Sequence, residues 1–171
     1  VFRRFHLSSE PNLEVRFPDK ALGNGNFKPK GFWYDVDLDW LRWLESEQYF
    51  NDSGWMRPYL YEVFINEAAC LAIRDVAELD IFHKRYSKPM LPGLHLKDID
   101  WGLIAGQYSG VEIAPYLWER RLYPEFTWYY AWDCASGVVW RPDALKEIRL
   151  LTRTKHKTIK FYRNEKQGGR V

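Results

Sequence analysis

Cysteine is scarce in this chain: Cys70 and Cys134 are the only two among 171 residues. Neither stands in a C-x-x-C pair, which excludes a disulfide scaffold and a zinc ribbon, and a reduced, cytoplasmic setting is expected. The four histidines, His6, His83, His95 and His156, show no H-x-x-x-H spacing, so no metal site is expected. No run approaches the ~18 apolar residues that a membrane span requires. Val1 to Leu7 carries charge where a signal peptide needs an apolar stretch, so neither export nor membrane contact is expected. An opening on Val1 rather than Met reads as a chain lacking a few starting residues, and Gly168 to Val171 as a fraying tail. Also absent are the G-x-G-x-x-G fingerprint, the G-x-x-x-x-G-K-[ST] loop and the G-x-S-x-G elbow. Ser8, Ser109 and Ser136 show no readable arrangement with His and Asp, which leaves a hydrolase triad without support.

What the chain has in excess is aromatic rings, 18% of residues with nine Trp. That exceeds the needs of packing alone and points either to a β-rich core or to rings lining a pocket or contact surface. With 46% apolar and 28% charged residues, the length suits one globular domain over 1–171. The net charge of +2 hides an asymmetry, because residues 141–171 carry ten Lys or Arg against three Asp or Glu. A basic end of this kind can track phosphates or can be a solvated face.

Periodicity predicts short elements. Phe2 to Leu7 reads as a strand with His6 on its own face. Gly31 to Val36 reads as a second strand, followed by a helix through Trp40 to Leu44 with Asp37 or Asp39 as its N-cap. Arg57 to Asn66 and Ala69 to Arg74 read as strands, and Ala77 to Phe82 as a short helix. Asp98 or Asp100 caps a helix through Trp101, Ile104 and Ala105, and Val111 to Ala114 is a strand entered from the Ser109-Gly110 turn. Thr127 to Ala131 and Val138 to Trp140 suggest a hairpin about the Asp133 to Gly137 turn. Within that turn, Asp133 and Ser136 are expected to hold the backbone rather than to do chemistry. Arg141-Pro142-Asp143 is expected to start a basic helix running to about Thr152. The sum is an α+β fold, with a basic C-terminal helix and tail over about 141–171.

Three segments stand in a suggestive order: Phe5-His6-Leu7-Ser8, Lys30-Gly31-Phe32-Trp33-Tyr34, and Gly110-Val111-Glu112-Ile113. Together they resemble the ADP-ribosyltransferase superfamily, in its diphtheria-toxin and poly(ADP-ribose) polymerase branch. There a first-strand His, an aromatic in a Lys-Gly-Ile-Tyr-Phe strand and a late-strand Glu form the site. The chain departs from that pattern at Leu7, where the family has Gly, and at Trp33, where it has Tyr. Tyr61 to Ile65 resembles a further family strand in which Glu62 is structural. Lys28 to Trp33 and Trp132 to Trp140 also resemble Lys-Pro-x-Gly-Leu-Trp and Trp-Asp-Cys-Ala-Ser-Gly-x-x-Trp, motifs of a group of small proteins frequent in bacteriophage.

The resemblance implies split β-sheets with flanking helices and toxin-like transfer of ADP-ribose from NAD to a macromolecule, a glycosyltransferase chemistry, in a bacterial and phage-related cytoplasm. It places Glu112, His6 and Trp33 in catalysis and His6, Ser8, Lys30, Gly31, Trp33, Tyr34 and Trp40 at NAD. Lys28, Lys30 or Arg4 would meet its pyrophosphate. The acceptor is nucleic acid or protein, the basic C-terminal segment favouring nucleic acid, and water as acceptor would make the protein an NAD hydrolase. The alternatives are a non-enzymatic module that stacks bases of single-stranded nucleic acid on exposed aromatics, and a phage-host interaction protein whose transferase-like site has decayed.

Overall fold

A computed structural model describes residues 2–18, 27–46, 57–90 and 96–153. The mixed α/β chain runs β1 (Arg4–Ser8), β2 (Phe32–Val36), α1 (Asp39–Ser46), β3 (Tyr59–Ile65), β4 (Cys70–Ile73), α2 (Val76–Tyr86), β5 (Ser87–Pro89) and β6 (Lys97–Ile99). It continues through α3 (Trp101–Ala105), β7 (Gly110–Ile113), α4 (Trp118–Arg121), α5 (Thr127–Tyr130), β8 (Ser136–Val139) and β9 (Leu145–Arg153). Seven strands form one sheet in the order β4-β7-β8-β2-β1-β3-β9, and β5 pairs with β6 apart from it. Only β4 and β7 run parallel; the other neighbours in the large sheet are antiparallel.

The sheet is curled. Arg4 on β1 and Glu112 on β7 are three strands apart, ~14 Å across a flat sheet, yet their heads meet at 2.5 Å. Close approach in the middle is bought by glycine: Gly137 pairs with both Tyr34 and Glu112, and the Tyr34 ring lies where a β-carbon on Gly137 would stand.

The aromatic excess is largely core. Trp101, Trp128, Tyr129, Trp132 and Trp140 are all buried, in one cluster with Val111, Ile113 and Val138 of the central strands and Leu79 and Phe82 of α2. The Trp128 ring meets Phe82, Trp101 and Trp132 at centroid distances of 5.4 to 6.5 Å. These offset and edge-on geometries are the favoured ones for aromatic pairs. His83 belongs to this core: its Nδ1 accepts from the Trp128 indole N–H at 3.1 Å and its ring stacks on Phe126.

Helix starts follow their caps. Asp75 accepts from the Glu78 N–H at the start of α2, and Asp100 accepts from Gly102 and Leu103 at the start of α3. The turn into α1 runs through Asp37 and Leu38 in the left-handed region, with the Asp37 carboxylate accepting from the Arg3 N–H and the Asp39 carboxylate accepting from the Ala135 N–H and Arg42.

Two segments differ from the sequence expectation. Thr127 to Tyr130 is helix, not strand, because one helical turn aims Trp128, Tyr129 and Trp132 into the core together, where a strand would send 128 and 129 to opposite faces. The hairpin therefore does not form, and β8 pairs with β2 and β7. The expected basic helix from Arg141 is a short 3₁₀ turn, Pro142–Ala144, followed by strand β9 along β3. Register shifts opposite Leu60/Tyr61 and Phe64/Ile65 bring Leu145, Ile148 and Leu151 to the half-buried positions, a spacing of three that imitates a helix face. Residues 154–171, including the rest of the basic end and His156, lie outside the described residues, as does His95. Among those described, no helix is long and apolar enough to cross a membrane.

Gly137→Ala should lower stability by about 1–3 kcal/mol, since Tyr34 must leave its place between central strands. A lower urea midpoint at unchanged m-value would show this; an unaltered midpoint would mean that Tyr34 yields freely.

Candidate functional site

The sheet has one weak seam. β1 and β2 pair only at Arg4↔Val36 and Phe5↔Asp35, whereas β2 pairs with β8 at four positions and β1 with β3 at four. Beyond Phe5 and Asp35 the strands part, and the His6 ring bridges the fork with Nδ1 at 2.7 Å from the Trp33 carbonyl oxygen. A carbonyl only accepts, so Nδ1 carries the proton and Nε2 of the neutral ring is left as an acceptor. Burial, helped by the charge of Arg57, outweighs this hydrogen bond and holds His6 below the usual histidine range.

A cleft of about 440 Å³ opens at this fork, within the usual range for small-molecule sites of roughly 300–1,000 Å³. Phe5, His6 and Leu7 line it from β1, Trp33, Tyr34 and Asp35 from β2, and Trp40 from α1. Trp132, Cys134 and Ser136 close one side, and Lys28 and Arg57 supply positive charge. Trp33 is held edge-on to Trp132 at 5.0 Å, and its indole N–H donates to the Pro29 carbonyl at 3.3 Å. The Lys28 ammonium lies 5.4 Å from the Trp33 ring centroid, so this ring already accepts a cation on its face. Burial first, then the nearby Asp39, pushes the Asp35 carboxyl well above the usual carboxylate range. Burial likewise raises the Cys134 thiol, making it a poor nucleophile at neutral pH.

Glu112 does not line this cleft. It is 1% exposed, and its Oε2 takes the Arg4 Nε–H at 2.5 Å while Oε1 takes Arg4 Nη2 at 3.1 Å and Arg74 Nη2 at 2.6 Å. Arg4 reaches on to Glu67 at 2.6 Å. Burial alone would raise the Glu112 carboxyl, but the hydrogen bonds and charges of Arg4 and Arg74 prevail and hold it below the usual range. The link between cleft and carboxylate is Tyr34. It lines the cleft, its ring crosses Gly137, and burial together with the Glu112 charge pushes its ionisation well up. The Tyr34 hydroxyl makes no hydrogen bond of regular geometry among the described residues.

Of the residues expected to act together, the structure therefore gathers His6, Trp33, Tyr34 and Trp40 and sets the others apart. Ser8 is buried and its hydroxyl accepts from the Glu10 N–H at 3.0 Å, a local turn contact. Gly31 packs against Val138 and Val139, leaving no room for a β-carbon, and Lys30 is exposed and not on the cleft wall. Of the cations considered for phosphate, Lys28 reaches the cleft while Arg4 is committed to Glu112. Glu62 pairs with Arg3 at 3.0 Å, a structural role.

Sequence reasoning missed Asp35, Arg57, Trp132 and Cys134 as wall residues. Alternation along β2 was the available signal for Asp35, two residues from Trp33 and thus on its side of the strand. The Trp132 to Trp140 motif does hold its turn, with the Ser136 hydroxyl donating to the Cys134 carbonyl, but it also builds cleft wall. Among the described residues no cluster of His, Cys, Asp and Glu could hold a metal ion. Compared with protein-family models, curated proteins and solved structures, the chain matches none.

Glu112→Gln leaves the buried Arg4 guanidinium without a charge partner of equal strength and should cost on the order of 3 kcal/mol at neutral pH. A lowered carboxylate contributes stability that is complete above the ordinary glutamate range, near ~4.3, and is lost as pH falls through the folded-state value. The gap between wild type and Glu112→Gln, followed by urea unfolding, should therefore narrow on acidification; a gap that stays constant would mean that Glu112 is not ionised in the fold.

Proposed function

We propose that the forked cleft binds NAD and that the protein is an ADP-ribosyltransferase-type enzyme that breaks the nicotinamide–ribose bond. The observation that carries this reading is the fork itself. Two strands joined by only two residue pairs separate to expose a His and a Trp, and these are the residues that the family resemblance assigns to NAD. The parting of β1 from β2 is also what a split-sheet arrangement requires at this point, although hydrogen bonding still joins all seven strands.

The chemistry of the wall suits the ligand. Trp33 carries the Lys28 cation on its face, and a nicotinamide ring, cationic while bound to ribose, fits the same position. The neutral His6 offers Nε2 to a ribose hydroxyl, and Lys28 and Arg57 provide charge for phosphate. Bond breaking sends the electron pair to the nicotinamide nitrogen, which becomes neutral, and leaves an oxocarbenium-like ribose, which an acceptor nucleophile or water then takes, losing a proton. A carboxylate stabilises that developing charge. On this reading it is Glu112, opened on its Oε1 side when the partly exposed Arg74 moves away, while the buried Arg4, which contacts both oxygens, holds the carboxylate in place.

One observation favours a second reading, a nucleotide-binding module without catalysis: the carboxylate is saturated by two arginines and shut away from the cleft. The two readings separate in one assay. With NAD labelled in its adenylate part, the enzyme reading expects free nicotinamide from wild type and a loss of roughly a hundredfold or more in Glu112→Gln. This is to be assayed where circular dichroism shows the variant folded, and label found on protein or nucleic acid would identify the acceptor. Binding of NAD without nicotinamide release, equal in wild type and Glu112→Gln, would establish the module instead.

Trp33→Ala should weaken NAD binding about fivefold to thirtyfold, the worth of one desolvated cation–π contact. Isothermal calorimetry would measure it, and unchanged affinity would remove Trp33 from the site.

A further inference from the structure

The large sheet ends on β9, which pairs with β3 alone. Among the described residues no hydrogen bond reaches the backbone of residues 146–153 from the other side. Such an edge is a template for one more strand, and its side chains point to a particular one. Lys146 and Leu151 are the extra residues at the two register shifts, so the regular edge is the stretch from Glu147 to Leu150 between them. Glu147 and Arg149 share the sheet face of Phe64 and Glu62, paired to each other at 2.9 Å with both side chains more than half exposed. Ile148 and Leu150 share the opposite face with buried Val63 and Tyr61, yet Leu150 is still 46% exposed. We propose that β9 is a self-association surface, on which a second copy of this chain adds its own β9 antiparallel about a two-fold axis at Ile148.

The pleat and the charges fix that register. Residues directly opposite each other in a sheet share a face, so the axis between two identical antiparallel strands passes at a residue, not between two. With the axis at Ile148, Glu147 of each copy lies opposite Arg149 of the other, and the two Ile148 side chains meet on the other face. Four charges of alternating sign then stand side by side. An axis one residue either way opposes Glu147 to Glu147 or Arg149 to Arg149, which like charge disfavours. Within one chain an exposed pair of this kind contributes little; across the axis each carboxylate keeps its own arginine and gains a second. Leu150 loses exposed apolar surface to the added strand. The contact is isologous, as closed dimers require, and joins two seven-stranded sheets into one. So short a stretch buries less than the ~1,200 Å² of stable complexes, so the dimer forms and dissociates with concentration. β3 separates β9 from β1 and the cleft, which makes the inference independent of the NAD reading.

Sedimentation velocity of the full chain, at concentrations up to ~1 mM, tests it. Wild type should move from monomer toward dimer as concentration rises. Glu147→Arg and Arg149→Glu each place four like charges on one face of the contact, and each alone should weaken association about tenfold or more. An equimolar mixture of the two variants opposes unlike charges at every position and should regain the dimer. In wild type, amide hydrogen exchange across Glu147 to Leu150 should also slow as concentration rises, while the other strands stay unchanged. A wild type that remains monomeric throughout, variants that associate as wild type does, or a mixture that gains nothing over its components would each overturn the proposal. Both substitutions lie at exposed positions, and circular dichroism checks that the variants are folded; should one not fold, the exchange pattern of wild type decides.

Discussion

The ladder between β1 and β2 holds two residue pairs, Arg4↔Val36 and Phe5↔Asp35, continued at one end by the Asp37 N–H bond to the Arg3 carbonyl, and the cleft, the orientation of His6 and the exposure of Trp33 all follow from where that pairing stops. Had the ladder run on, the Trp33 carbonyl would have had the β1 backbone beside it and His6 no reason to cross the gap. Instead the imidazole supplies the hydrogen bond that the second strand withholds. One side chain thereby satisfies a partly buried backbone carbonyl, as such groups require, and fixes the tautomer of a ring that lines the cleft.

So short a seam needs reinforcement, and the charged cluster of Arg4, Glu112 and Arg74 provides it. Arg4 belongs to the first of the two pairs, and its guanidinium passes beyond β2 and β8 to Glu112 on β7, with Arg74 completing the carboxylate. Breaking such a buried pair leaves an uncompensated charge and is far costlier than the pair's net contribution suggests. Glu112 is thus first a structural tie that keeps the curled sheet closed around Tyr34 and Gly137. Any chemistry it performs is superimposed on that duty, and Arg74, the more exposed partner, is the group whose position decides between them.

Asp35 shows a similar double use at the second pair. Its backbone ends the seam and its buried side chain, beside Asp39, belongs to the cleft wall. Strand end and cleft wall thus converge on one residue, just ahead of the turn into α1. The Asp37-Leu38 turn in the left-handed region makes that convergence possible, by bringing α1 and Trp40 back over the strand that precedes them.

The amino-acid pattern by itself determined the local elements wherever periodicity and capping agreed: β1, β2, β3, β4 and β7, the α1 helix, and the caps Asp75 and Asp100. The motif resemblance brought His6, Trp33, Tyr34 and Trp40 forward together with Ser8, Lys30, Gly31 and Glu112, and the structure gathers only the first four at the cleft. Tertiary structure decided the rest. A helical turn at Thr127 to Tyr130 overrode the strand propensity of its rings because the core needed Trp128 and Tyr129 on one side. The irregular pairing of β9 with β3 produced a three-residue repeat that local reading cannot tell from a helix. Above all, the face on which Glu112 would lie, and that Arg4 and Arg74 would enclose it, depended on strand order and curl. These place residues 4, 74 and 112 together through contacts that no short stretch of chain contains.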